Sequence, residues 1–469
     1  MAESAKVAKF GGVCVSRSDM YDRIAKLLDE DRTRRFVVVS AVAGTTDSLV
    51  TAIARPRAEK EIDLYVAELK RVHLKLLRTA HTDRDEGTEA IETLCTKLAR
   101  LLYGISYTEE ITPRVRDFAL SFGERLAAQV VATNLRDRGI GAVPFEADQI
   151  GLITDDNYGN ATVLLDETKA QMAPFLRRQA SENLVSVITG FFGQSSEGKT
   201  ATFGRGGSDY SAVVVAAALG LPLIEIWKDV DGFMSADPQI VPSAFPLAAL
   251  SYDEAAELSY FGAKVLHPRA VQPARASGVS ISVKNIYRPS EPGTRIGPDT
   301  IDKTGDLKSV SYVRDLTTIK VFTAGGGGKE GLLSQAATAL AVAQVNVYSA
   351  ATSQTCIAFV IESDSVGRAK KALSRLPIGI VERIEVAPHA SLICFVGEGL
   401  GYAKGVAARV LRAVADRGVN VQMISAGASM VAYHFTVDTK DLERAVQAVH
   451  GEFFGLQSAS SARSVEATA

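Results

Sequence analysis

The chain has 469 residues, enough for two to four domains and a sizeable core. Its 52 basic and 54 acidic residues nearly cancel, leaving a net charge of −2, which argues against a polyanionic partner such as nucleic acid. No apolar run reaches the roughly 18 residues of a membrane span, and Cys14, Cys95, Cys356 and Cys394 are scattered without a CxxC or a metal-ligand spacing to the histidines, so reduced, mostly buried thiols are expected.

A strand opens by about Val7, leaving no room for a signal peptide; the expectation is a soluble, cytoplasmic protein. That strand ends in Lys9-Phe-Gly-Gly12 and is followed by a helix over Arg17 to Leu28. Phe36 to Ser40 reads as a buried strand leading into the turn Ala43-Gly-Thr-Thr-Asp47. Ala58 to Tyr103 is charged and helical, with Leu64, Leu69, Val72 and Leu76 at helical spacing, and Phe118 to Leu135 is a further helix. Leu184 to Ile188 is a strand, and Pro222 to Trp227 is another that ends at Lys228-Asp-Val-Asp-Gly232. Strands alternating with helices predict an α/β domain around a mostly parallel sheet, whose ligands bind beyond the carboxyl ends of the strands.

Between those two strands lie two glycine-rich candidates for holding phosphate. Gly193-Gln-Ser-Ser-Glu-Gly-Lys199-Thr200 fits the spacing of a P-loop. Such a loop works only where its Lys-Thr opens a helix, and Ala-Thr-Phe-Gly after Thr200 is a poor first turn. Gly204-Arg-Gly-Gly-Ser-Asp209 precedes a long apolar run, so the helix is expected to start with Ser208 or Asp209 as N-cap and to reach Gly220, placing the anion site at this second motif.

The pattern changes near Pro292-Gly-Thr294. Two segments then repeat strand, turn, helix, strand, strand, with Val345-Asn-Val347 and Val419-Asn-Val421 as matching landmarks. They read as tandem α+β binding modules. The Ser/Ala-rich stretch from Gln457 to Ala469 is expected to fray.

The ordered set KFGG, SFGE (Ser121–Glu124), GRGGSDYSA, WKDVDG followed by SADP, and FGAKVLHP (Phe261–Pro268) resembles the aspartokinases of the amino-acid-kinase superfamily, and the C-terminal repeat with NVQMISAGAS resembles their paired ACT domains. The resemblance covers essentially the whole chain. It implies a three-layer amino-acid-kinase domain over 1–298, ACT-like (ferredoxin-like) modules over 310–385 and 386–456, and a disordered tail over 457–469. It further implies transfer of the ATP γ-phosphoryl group to the side-chain carboxylate of L-aspartate, with Mg²⁺, in a homodimer or homotetramer joined through the ACT modules, which could bind an amino-acid effector. Lys9, Asp209 and Lys264 would be catalytic. Ser40, Thr46, Glu124, Arg205, Gly206, Gly207 and Ser208 would bind aspartate, with Glu124 taking its ammonium and Arg205 its α-carboxylate. Lys9, Phe10, Gly11, Gly12, Lys228, Asp229, Met234, Gln239 and Lys264 would contact the nucleotide. His267 reads as structural.

The chain departs from the family at Val13-Cys14, where hydroxyl residues are usual, at Met234, where an aromatic residue is common, and at Gln239, where arginine is common. In the first module the turn Ala324–Lys329 is unusually glycine-rich. Tyr348 and Gln354 stand where lysine-inhibited members carry acidic residues, so a lysine effector is not expected. Two other readings fit the same residues: an amino-acid kinase for another acidic substrate, and an effector-binding protein with a vestigial kinase domain.

Overall fold

A computed structural model describes residues 5–77, 84–182, 184–298, 307–323, 331–376 and 381–466. The chain forms two compact units.

The first unit contains, in order, β1 (Lys6–Phe10), α1 (Ser18–Glu30), β2 (Arg34–Val39), α2 (Thr45–Ile53), α3 (Glu59–Leu76), α4 (Arg84–Thr108), α5 (Pro113–Arg136), β3 (Ala142–Phe145), α6 (Leu165–Ser181), β4 (Val185–Thr189), β5 (Phe192–Gln194), β6 (Thr200–Thr202), α7 (Gly207–Leu219), β7 (Leu223–Lys228), β8 (Ala249–Leu250), α8 (Tyr252–Tyr260), which runs into the second unit, α9 (Pro268–Ser277), β9 (Ser280–Asn285) and β10 (Thr294–Ile296). The main sheet has strand order β3-β4-β2-β1-β7-β9-β10-β8. It is parallel from β3 to β9, and β10 runs antiparallel to β9. The interior strands are apolar because helices cover both faces of such a sheet: β4 (VSVIT) is buried throughout, and β1 after its first residue. β1 lies between β2 and β7, so the turns leaving β1, β2, β4 and β7 gather at one edge, as the alternation predicted.

The helical region read as continuous from Ala58 to Tyr103 divides into α3 and α4, with residues 78–83 between them outside the described set. α5 starts five residues before the apolar pattern suggested, because Thr112 caps it by accepting from the Val115 N–H at 3.2 Å and Pro113 suits the first helical position.

The second unit contains β11 (Ser309–Thr323), α10 (Leu332–Val342), β12 (Val347–Thr352), β13 (Cys356–Glu362), α11 (Val366–Leu373), β14 (Val381–Val396), α12 (Val406–Asp416), β15 (Met423–Ser425), β16 (Ala432–Asp438) and α13 (Leu442–Glu466). The repeat read from the sequence is present, and its halves share one antiparallel sheet of order β12-β13-β11-β14-β16-β15. Residues 234–247 and 257–264 also belong to this unit. Ala236, Ile240 and Val241 enter the same core as Ile393, Phe435 and Val446, which takes the first of these segments out of the stretch that the motif order assigned to one catalytic domain. The tail expected to fray is helical to Glu466. Between Gly455 and that residue there is neither glycine nor proline to end α13, and its alanines favour helix. The glycine-rich turn 324–329 lies outside the described residues. No described helix is long and apolar enough to cross a membrane.

Candidate active site

The segment with P-loop spacing does not cradle phosphate. Lys199 is exposed in the turn of a hairpin, and Thr200 enters β6, paired with Gln194 of β5, so no helix follows to point N–H groups at an anion. The helix comes after the second motif. It begins at Gly207, with Gly206 as N-cap in the left-handed region (φ +70°), two or three residues before the expected N-cap. Ser208 and Asp209 are therefore not caps. They occupy the first turn of α7, and the partial positive charge of the helix end favours the Asp209 carboxylate.

Asp209 is buried and holds two lysines. The Lys9 Nζ lies 2.6 Å from one of its oxygens and the Lys228 Nζ 3.0 Å from the other. Burial alone would raise its pKa, but Lys228 and Lys9 overcome that and hold the carboxyl well below the usual range. Burial lowers the pKa of Lys9, Asp209 opposes this, and the nearby charge of Lys228 adds to the lowering. The strand ends thus bring two ammonium groups together on one carboxylate.

This group forms the floor of a cavity of about 400 Å³, which Ser40, Thr46, Glu124, Lys228 and the Gly204–Asp209 turn also line. Glu124 comes from the middle of α5. Its Oε1 accepts from the Ala41 N–H at 3.0 Å, while its Oε2 is buried without a partner. Burial raises its pKa to about 8. Arg205 is exposed and makes no ion pair among the described residues. The cavity therefore pairs an unfilled acceptor with an unfilled cation, and places both near two lysines.

Glycine is needed where backbone crosses side chain. A Cβ on Gly12 would meet the Ala41 carbonyl at 2.8 Å, and one on Gly206 would lie 2.0 Å from the His267 side chain. His267 itself caps α9, its Nδ1 accepting from the Arg269 N–H, which fits the structural part expected of it. Gly206→Ala adds this clash to a positive φ, strain on the order of 1–3 kcal/mol. The expected result is a lower Tm together with at least a tenfold lower kcat/KM; an unchanged Tm in thermal unfolding would contradict it.

Some expected residues are placed otherwise. The Phe10 side chain is fully buried against Trp227, ring centroids 6.5 Å apart, so only its backbone is available to a ligand. An aromatic residue alternating with Lys9 on a buried strand must face the core. Gly11 donates its N–H to the Trp227 carbonyl at 3.2 Å. Asp229 is exposed and does not line the cavity. Met234, Gln239 and Lys264 belong to the second unit. Cys14 is buried with its thiol 3.4 Å from the Trp227 carbonyl, and burial pushes its pKa to about 11, so it is an inert thiol. Ala41, Val42 and Phe191 line the cavity without having been singled out in the sequence, and Asp47 was read there only as part of a turn. Phe191 has a φ of +74°, and its N–H is held by the Ser211 hydroxyl at 3.0 Å. The Thr189-Gly190 strand end just before it was the signal available.

The Amino acid kinase family profile matches residues 4–285 and an ACT domain profile matches residues 393–453. Aspartokinase 3 (chloroplastic) of Arabidopsis thaliana is 34% identical over 462 residues, which covers 96% of this chain and 81% of that protein. The chain belongs to the aspartokinase family. Aspartokinase 2 (chloroplastic) of the same plant is likewise 34% identical, covering 96% of this chain and 84% of that protein. Among solved structures, E. coli aspartokinase III in complex with aspartate and ADP (R-state) matches with a TM-score of 0.82 at 28% identity, covering 96% of this chain and 100% of that one. The same E. coli aspartokinase in complex with lysine and aspartate (T-state) matches with a TM-score of 0.81 at 28% identity, with the same coverage.

Proposed function

We propose that this aspartokinase transfers the γ-phosphoryl group of ATP to the side-chain carboxylate of L-aspartate in the cavity floored by Lys9, Asp209 and Lys228. The observation that carries the reading is the pairing of Glu124, with its buried unpartnered oxygen, and the unpaired Arg205 in one cavity. An α-amino acid satisfies both, the first with its ammonium and the second with its α-carboxylate. Ser40, Thr46, Gly206, Gly207 and Ser208 complete the substrate site, and Lys9, Gly11, Gly12, Lys228 and Asp229 belong to the nucleotide side. The complex of the E. coli relative with aspartate and ADP supports both halves.

The nucleophile is a carboxylate with a reference pKa near 4, ionised at neutral pH, so no general base is required. The barrier lies in bringing one anion against another. Position and positive charge lower it, and Lys9 and Lys228 supply that charge where phosphate oxygens would gather. Among the described residues no group of three His, Cys, Asp or Glu could hold a metal, and Asp209 is committed to its lysines. Mg²⁺ would be held chiefly by the phosphates of ATP and by water, as is usual for this ion at nucleotide sites.

The reading includes a kinase domain over 1–298 apart from 234–247 and 257–264, which group with the second unit, ACT modules over 310–385 and 386–456, a cytoplasmic location, and association as a homodimer or homotetramer through the ACT modules. A lysine effector is not part of it. The Tyr348 hydroxyl donates to Glu362 at 3.1 Å, so this carboxylate of the first module is already engaged. ATP- and Mg²⁺-dependent hydroxamate formation is expected with aspartate and not with glutamate or N-acetylglutamate, at a rate that lysine leaves unchanged. Turnover of glutamate instead of aspartate would assign a different acidic substrate, and ATP binding without any turnover would make the kinase domain vestigial.

A further inference from the structure

The first unit holds a second cavity, of about 410 Å³, that shares no lining residue with the substrate cavity. Part of its lining comes from the hairpin whose spacing imitates a P-loop: Gln194, Gly198, Lys199 and Thr200 all line it. α4 and the first turns of α5 supply the rest of the wall, and Arg125 and Asp148 its floor.

Three features of this cavity call for a partner. Lys97, Arg114 and Lys199 are exposed at its rim, and none makes an ion pair among the described residues. Arg114 lies in the first turn of α5, where the helix end adds to the positive field. The adjoining wall is apolar: Leu101 and Val115 are half-buried and line the cavity, and the half-buried Phe118 ring beside them has the Lys97 ammonium 5.3 Å and the Arg125 guanidinium 5.6 Å from its centroid. The floor carries an acceptor. Asp148 is 8% exposed, and one of its oxygens accepts from Arg125 and from the Thr200 hydroxyl (2.6 Å), while its Oδ1 is buried without a partner. A buried carboxylate oxygen left unpaired costs free energy that a ligand's donor would recover.

The rim asks for an anionic group, the wall for an apolar body and the floor for a donor. We propose that this cavity is a binding site for an α-amino acid with a large apolar side chain. Its carboxylate meets the rim cations, its side chain packs on Leu101, Val115 and Phe118, and its ammonium reaches Asp148. The inference stands on the cavity alone and is independent of which substrate the kinase site takes.

The test is calorimetric titration of the full chain with L-phenylalanine, with L-aspartate in excess to occupy the first cavity. L-phenylalanine is expected to bind at one site per chain. 3-Phenylpropionate, which lacks the ammonium, and phenethylamine, which lacks the carboxylate, are each expected to bind at least ten times more weakly. The double variant Arg114→Glu, Lys199→Glu changes only exposed residues, so its thermal unfolding should match the parent while L-phenylalanine affinity falls at least tenfold. Val115→Trp, which fills the wall, should abolish binding. The proposal is overturned if L-phenylalanine gives no binding heat, if either analogue binds equally well, or if the double variant retains full affinity.

Discussion

Lys9→Ala is expected to lower kcat roughly a hundred- to a thousand-fold while leaving the protein folded. The magnitude follows from removing a preorganised charge from a site where two anions must meet; single donors aimed at developing charge are commonly worth 10²–10³ in kcat. Lys9 is 4% exposed, so its ammonium is held by protein rather than water and needs no reorganisation when a phosphoryl group arrives. The fold should survive because Asp209 keeps Lys228 at 3.0 Å and is not left as an unpaired buried charge. Lys9→Met separates charge from volume: it fills the space of the lysine stem, so a loss as large as that of the alanine variant assigns the effect to the ammonium. Steady-state kinetics of hydroxamate formation, with thermal unfolding as the folding control, checks both variants. A kcat within tenfold of the parent would remove Lys9 from the catalytic group.

That group was legible in the sequence because its parts sit at strand ends. Lys9, Ser40 and Lys228 each close a short buried strand, and the parallel order follows from strand–helix alternation, so their convergence at one sheet edge could be anticipated. Glu124 was legible only through the family motif: its spacing within a long helix is that of any solvated glutamate, and the burial that sets it apart comes from packing of α5 against β2 and α2. Phe191 was hidden because a positive φ at a non-glycine residue leaves no compositional mark. The placement of 234–247 was hidden for another reason. Its apolar residues could serve either core, and only the tertiary structure shows that they join Phe435 and Val446. The single six-stranded sheet of the ACT modules was likewise unreadable, since the β11–β14 pairing joins strands separated by a whole repeat. Local signals give each module, and the register between them is a long-range fact.

The second large effect concerns pH. With burial raising the Glu124 pKa to about 8, the free enzyme carries this carboxyl mostly neutral at pH 7. A bound ammonium requires the ionised form. If Glu124 takes the aspartate ammonium as proposed, binding releases a proton, and kcat/KM for aspartate is expected to rise with pH, close to tenfold per unit below about pH 7, and to level off above about 9. Stability of the free enzyme should run the opposite way. A carboxyl whose folded pKa is raised from its ordinary 4.5 contributes stability fully present below that value, and this contribution is lost as pH rises through about 8. Glu124→Gln removes the titrating group while keeping an acceptor for the Ala41 N–H. Its kcat/KM profile should be flat across this window, with KM for aspartate raised roughly 10–100-fold, the equivalent of a charge-assisted hydrogen bond of about 1.5–3 kcal/mol. Without aspartate the variant should lose less stability than the parent between pH 5 and pH 8. The two opposed slopes distinguish a substrate-binding carboxyl from a merely buried one: a structural glutamate would shift the stability curve and leave the aspartate profile untouched. A parent profile flat from pH 6 to pH 8, or a Glu124→Gln variant with unchanged KM, would take Glu124 out of the substrate site.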